Sequence, residues 1–310
     1  MRLRVLTVLL PVAGLLLAAC GSDPGPRAID PVDDPGGSDT AAAPPAAPTT
    51  MPTSVPASDG EVHGFATVMD TGTGPELCLG GVMESYPPQC GGPRIEGFDW
   101  ADQDGMFDQE GEIRWGLFAL TGTFDGTTFT VTRPAVPGAL YDPIAEEPDE
   151  DPLTTPCPEP EGGWQVVDPA RTDQASMEAV FAEASRLDDY AGAWMDQSPN
   201  PADPTSDPEA MNDPTLVIVN VTVTGDPAAA EADLREVWGG MLCVSRAEHT
   251  EAELSGIQQE LGELPGLLSS WSGRDRVHVE VVFDDGSLQA WVDETYGDGV
   301  VVVSSALRPA

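Results

Sequence analysis

Leu216-Val217-Ile218-Val219-Asn220-Val221-Thr222-Val223-Thr224, followed by Gly225-Asp226-Pro227, is the stretch from which this chain's architecture is read. Val217, Val219, Val221 and Val223 fall on one side of a period-two pattern, the mark of a strand with one buried face. Gly225 breaks the pattern, Asp226 is placed to cap a helix, and Pro227 occupies its first turn, where no backbone donor is needed. Ala230, Leu234, Val237 and Trp238 then share one helical face, and Met241 to Ser245 returns as a short strand. Strand, helix, strand in this order predicts a sheet with helices packed on it.

Reading outward toward the C-terminus, Thr250-Glu251-Ala252-Glu253 forms a capping box, and Leu254, Ile257, Leu261 and Leu264 continue the helix until Pro265-Gly266. Arg276 to Phe283 alternates, with Val277, Val279, Val281 and Phe283 inward and His278 and Glu280 outward. Asp284-Asp285-Gly286 reads as a hairpin turn, Ser287 to Val292 as the returning strand, and Val300 to Ser304 as a final strand. In the other direction, Met177, Val180, Phe181, Ala184 and Leu187 line a helix within Asp173 to Asp189, Tyr190 to Met195 forms a strand, and Asp196 to Pro214 is a polar loop. The expectation is a two-layer α/β domain over residues 164–305 with a mixed or antiparallel sheet, and a tail at 306–310. No Gly-rich fingerprint follows any strand, which argues against a doubly wound nucleotide fold.

Residues 61–137 lack a convincing amphipathic helix. His63 to Met69, Glu76 to Leu79, Ile113 to Leu120 and Thr127 to Arg133 read as strands, with Ile113, Trp115, Leu117 and Ala119 sharing a face. A small all-β barrel or sandwich follows, in which Trp100 and Trp115 are core or lid residues. Residues 138–163, with Glu146-Glu147-Pro148-Asp149-Glu150-Asp151-Pro152, read as an acidic Pro-rich linker or strap, so the organisation expected is two-domain.

The N-terminus carries Arg2 and Arg4, then an apolar run from Val5 to Ala19 that is short for a membrane span. Leu17-Ala18-Ala19-Cys20-Gly21 looks like a bacterial lipobox, which implies a signal peptide at 1–19 and a lipidated Cys20. Residues 20–60, rich in Pro, Ala, Asp, Ser and Thr, cannot bury enough apolar surface to offset chain ordering and read as a disordered tether. The location expected is the cell membrane, lipid-anchored, facing the extracytoplasmic side, with the membrane as a partner through the lipid.

The 310 residues carry 53 Asp and Glu against 13 basic residues, all of them Arg, for a formal charge of -40. Such a polyanion repels nucleic acid and anionic head groups. The absence of Lys excludes Schiff-base chemistry and P-loop phosphate binding. Beyond Cys20, four Cys remain, and three pairings are open to them. The short Gly- and Pro-containing loop between Cys78 and Cys90 favours that pair, leaving Cys157 with Cys243. With no CxxC pair and three scattered His residues, a Cys-based metal site is disfavoured.

Cys78-Leu79-Gly80-Gly81-Val82 together with Ser85-Tyr86-Pro87-Pro88-Gln89-Cys90-Gly91-Gly92-Pro93 and the lipobox resembles a group of functionally uncharacterised actinobacterial lipoproteins. Trp238-Gly239-Gly240-Met241-Leu242-Cys243 and Tyr296-Gly297-Asp298-Gly299-Val300 resemble the second half of the same kind of protein. The resemblance implies a surface lipoprotein and brings no catalytic motif with it.

Physically, the disulfide-bounded loop is a candidate binding loop presenting Glu84, Tyr86 and Gln89, or a rigid corner of the domain. Asp99, Asp102, Asp104, Asp108, Glu110 and Glu112 form the densest acidic run. Its spacing fails the EF-hand pattern but admits weak calcium binding; no other cofactor is expected. His63, His249 and His278 lie in separate regions, and no GxSxG or HExxH is present. The function expected is a non-enzymatic binding or structural module with an envelope protein as partner; the alternative is an extracytoplasmic hydrolase using Asp and Glu carboxylates.

Overall fold

The computed structural model describes residues 50–141, 153–202 and 210–310. The signal segment, Cys20 and the first part of the expected tether lie outside the described residues, as do the acidic residues 146–152.

The N-terminal region is a closed barrel. Its strands are β1 (Val62–Asp70), β2 (Pro75–Cys78), β3 (Arg94–Glu96), β4 (Asp108–Glu110), β5 (Ile113–Phe124), β6 (Thr128–Val131) and β7 (Val136–Pro137). β1 pairs with β2 on one edge and with β5 on the other, so the path β1-β2-β3-β6-β5 returns to β1 and five strands close on themselves. All neighbours are antiparallel except β3 and β6, which run parallel. This is a small five-stranded barrel of the Greek-key kind. Closure needs close backbone approach at Gly122, where a Cβ would stand 2.1 Å from the Thr130 carbonyl oxygen. Val62, Ala66, Val68, Leu77, Ile95, Phe118, Leu120, Phe124 and Phe129 fill the interior.

Along β5 the buried face is therefore Phe118, Leu120 and Phe124, while Trp115, Leu117 and Ala119 lie on the opposite one; Leu117 is 46% exposed. Alternation alone leaves both faces of Ile113–Phe124 apolar, and it is the curvature of the closed sheet that selects the inner one. Trp100 is buried on a short 3-10 turn, Trp100–Gln103, against Phe98, Phe107 and Phe118.

The rest of the chain is built twice from one plan. The first unit contains α1 (Gln174–Ala184), β8 (Tyr190–Asp196), β9 (Ile218–Val223), α2 (Pro227–Leu234) and β10 (Met241–Arg246). The second contains α3 (Glu251–Leu261), β11 (Leu267–Gly273), β12 (Arg276–Val281), α4 (Ser287–Tyr296) and β13 (Val301–Ser305). Adding 77 to the residue numbers of α1 and β8 reproduces the bounds of α3 and β11, and adding 58 to those of β9 reproduces β12. The two offsets differ because β8 ends at Asp196 and β9 begins only at Ile218, where only Arg274 and Asp275 join β11 to β12. Both units pair their first two strands antiparallel and their last two parallel. In both, alternate valines of the central strand pack on the helices: Val219, Val221 and Val223 in one, Val277, Val279 and Val281 in the other.

The expected single sheet is thus two three-stranded mixed sheets, and two elements differ from expectation. Ser287–Tyr296 is a helix rather than a returning strand: Gly286, at φ 93°, turns the chain, and the Asp284 carboxylate accepts the Leu288 and Gln289 amides. Leu288, Trp291 and Val292 recur at helical spacing and are buried. Leu267–Gly273, unassigned in sequence, is a strand.

The expected boundary between two domains is not kept. Val282, Phe283 and Leu307 are buried in the barrel's own core, and Val55 packs against it. The expected tail contributes β14 (Arg308–Pro309), which pairs with β1. The end of the expected tether is likewise docked, the Ser58 amide donating to the Phe124 carbonyl at 2.7 Å. The described residues, 50 to 310, accordingly form one compact unit.

Candidate functional site

The Cys pairs are Cys78–Cys90 and Cys157–Cys243. The first closes the loop carrying Glu84, Tyr86 and Gln89, all exposed. Tyr86 is 76% exposed and meets Trp115 edge to face at 5.5 Å, so the outward-facing Trp115 is the loop's footing on the barrel. Met83 pairs with Gln89 across the loop. The three candidate residues share one exposed, disulfide-closed loop.

The second disulfide fastens residues 153–168 as a strap across the first unit's outer sheet face. Cys157 and Trp164 pack on Ile218, Met241 and Cys243. The strap's start is held by Asp196, whose carboxylate accepts the Thr155 and Ser198 amides at 2.8 Å each. Burial pushes this carboxyl up, but the donors outweigh it and hold it below the usual range.

The acidic run is spread over several elements. Asp99 caps the Trp100 turn by accepting the Ala101 amide, while Asp108 and Glu110 stand on β4. Asp99, Asp102 and Asp104 border a hollow of about 560 Å³ with Arg133 among its walls. Among the described residues no group of three or more His, Cys, Asp or Glu is arranged to hold a metal ion. His63 sits on β1, its Nδ1 3.1 Å from the Pro309 carbonyl oxygen. His249 donates its backbone amide to Asp275.

A second concavity, about 400 Å³, lies where the two repeated units meet. Its walls include Tyr190, Gly192 and Trp194 of β8, Glu251 and Leu254 of α3, and Trp271, Arg274 and His278 of the β11–β12 hairpin. Trp194 and Trp271 occupy the same position in the duplication, each opposite the equivalent residue of the next strand, Asn220 and His278. The shared plan thus delivers one indole from each unit to a common cleft.

Each indole is fixed differently. Trp194 donates Nε1–H to the Leu153 carbonyl at 3.1 Å and carries the Arg274 guanidinium 5.7 Å from its ring centre. Trp271 stacks on His278, ring centres 4.8 Å apart and planes within 5°, and is 51% exposed. Burial, and then the charge of Arg276, push the His278 imidazole below its ordinary value, so it is neutral near pH 7. Burial, and then the Glu251 carboxylate, raise the Tyr190 hydroxyl.

The hairpin itself is under constraint. Arg274 and Asp275 have φ of 51° and 69°, a tight two-residue connection of the type that favours Asn-Gly. Asp275 holds it in place, accepting the Glu248 amide at 2.6 Å and the His249 amide at 2.5 Å, both at the end of the first unit. Positive φ at both residues is what a two-residue hairpin of this type requires, and the Asp275 contacts fix it at two non-glycine residues. The lock brings Arg274 over Trp194.

Sequence reasoning placed His278 on an outward face and stopped there. It missed Trp194, Trp271 and Arg274, and the signal that finds them is the recurrence of Trp after the shift of 77. Comparison with protein-family models and with curated proteins finds no match to this chain.

Proposed function

We propose that this chain is a lipid-anchored, extracytoplasmic binding protein whose ligand site is the cleft between its two repeated units. The observation that carries the reading is the convergence of Trp194 and Trp271, equivalent in the repeat, on one concavity with a charged and a neutral nitrogen side chain beside them. Its size falls within the range of about 300–1,000 Å³ common for small-molecule sites. The anchor rests on the 17–21 pentad, and the two disulfides fit an oxidising compartment. An envelope protein partner would use the separate Tyr86 protrusion.

The test is capture of small molecules. The disulfide-bonded protein is incubated with a low-molecular-weight envelope extract, washed, and the retained compounds are identified by mass spectrometry. At least one compound is expected to be enriched by the wild type and lost by both Trp194→Ala and Trp271→Ala. Equal retention by the variants, or no enrichment, would overturn the site.

A further inference from the structure

Building on the cleft as the ligand site, we infer that its ligand is an acidic saccharide, a pyranose ring bearing a carboxylate. Three observations converge on this chemistry. The first is the Trp271 platform: one side is backed by the parallel His278 ring, and half of the residue is open to solvent. A pyranose presents a flat face of polarised C–H groups, which packs on the electron-rich face of an indole.

The second is charge. Arg246, Arg274 and Asp275, the last with its carboxylate taken up by the Glu248 and His249 amides, line a hollow of about 220 Å³ that shares Trp194, Thr222 and Arg274 with the main cleft. Arg276 stands two residues beyond Arg274 and acts electrostatically on His278. A chain with 13 basic residues against 53 acidic ones thus gathers three of them at one place. Guanidinium groups recognise a carboxylate through paired N–H donors. The net charge of -40 then separates a small acid from a polymer. A polyanion is repelled along its whole length, while a single carboxylate is governed mainly by charges within a screening length of about 8 Å.

The third is the set of neutral and acidic partners. Thr222, Ser272, the Glu251 carboxylate and the neutral His278 imidazole border the same space. A carboxylate accepts hydrogen bonds from sugar hydroxyls, and a neutral imidazole offers one N–H donor and one acceptor nitrogen. An aromatic platform, a carboxylate receptor and dispersed hydroxyl partners together describe a sugar acid. Thr222 already donates to the Gly192 carbonyl and Glu251 already accepts from the Ser255 hydroxyl, each at 3.3 Å, so these two groups meet a ligand through their remaining hydrogen-bonding capacity.

The experiment titrates the disulfide-bonded protein with D-glucuronate, D-glucose, acetate and L-phenylalanine, following tryptophan emission and heat. Glucuronate is expected to bind saturably, glucose at least 10-fold more weakly, and acetate and phenylalanine more weakly still. Arg274→Gln should reduce glucuronate affinity about 10- to 100-fold while leaving the weak glucose response within about 2-fold. Trp271→Ala, at an exposed position that tolerates truncation, should abolish both responses with an unchanged circular dichroism spectrum. Equal affinity for glucose and glucuronate, an unaffected Arg274→Gln variant, tighter binding of phenylalanine, or no saturable response to either sugar would each overturn the acidic-saccharide assignment. A non-saccharide captured through Trp194 and Trp271 in the extract experiment would overturn it too, while leaving the cleft as the ligand site.

Discussion

Removing the two disulfides in turn is expected to separate their contributions by loop length. Cys157–Cys243 joins residues 86 apart, Cys78–Cys90 residues 12 apart, and the two loops do not overlap. Restricting the unfolded chain by loops of these lengths stabilises the fold by about 4.6 and about 2.9 kcal/mol in the chain-entropy description. Each double variant, Cys157→Ala with Cys243→Ala or Cys78→Ala with Cys90→Ala, deletes the same two sulfur atoms. Cys243 and Cys78 are both buried, so the packing losses largely cancel in the comparison. The strap variant should therefore be the less stable of the two by about 1.7 kcal/mol. Urea denaturation without reductant, followed by far-ultraviolet circular dichroism and extrapolated linearly, measures it. If loss of Cys78–Cys90 proves equally or more damaging, the strap is not part of the cooperative unit and the reasoning fails.

Three further outcomes follow from particular contacts. Gly122→Ala should destabilise the protein by more than about 3 kcal/mol, because a methyl group there meets the Thr130 carbonyl across the barrel seam. Gly256→Ala, exposed in α3 with open space around it, should stabilise by about 0.5–1 kcal/mol; paired thermal melts check both. Asp196→Asn should lower stability by about 1–3 kcal/mol at pH 7 through weakened bonds to Thr155 and Ser198. Because the native carboxyl is held below its unfolded value, this stabilisation is present above about pH 4 and is lost as pH falls through the folded value, so urea titrations should show the two proteins converging in acid. His278, held down in the native state, should take up its proton below about pH 6.5, with Trp271 emission changing over the same interval and the change absent in His278→Gln. Proton uptake by the unfolded chain comes first, so this group makes stability fall as pH drops through 6.5 toward the native value, then level off.

The strands with one valine-rich face were legible because a period-two pattern and a buried face are the same fact seen twice. Leu216 to Thr224 and Arg276 to Phe283 therefore anchored the α/β reading, and the Asp226-Pro227 and Thr250–Glu253 signals fixed two helix starts. Ser287–Tyr296 defeated the same logic. Asp284-Asp285-Gly286 suits a hairpin as well as a helix entry, and only the placement of the Asp284 carboxylate on the next amides decides between them. The barrel face of Ile113–Phe124 was ambiguous because both of its sides are apolar. The cleft was hidden for another reason: Trp194 and Trp271 are 77 residues apart and meet through the pairing of two units, which no local window contains. The candidate loop with Glu84, Tyr86 and Gln89 was visible for the opposite reason, its Cys ends being close in sequence.

The last strand has a consequence for how the molecule reaches its native state. Val62 pairs with Pro309 and His63 with Arg308, while Leu307 enters the barrel's interior beside residues of β1 and β5. Contacts between such distant positions form only after the intervening chain has been brought together, and a topology rich in them folds slowly. The two repeated units, whose pairings are local, can condense early. The barrel stays short of one strand and one core side chain until residues 307–309 are in place. Before residues 307–309 dock, the barrel has an open edge along Val62 and His63, the surface most prone to mispairing with a neighbouring chain.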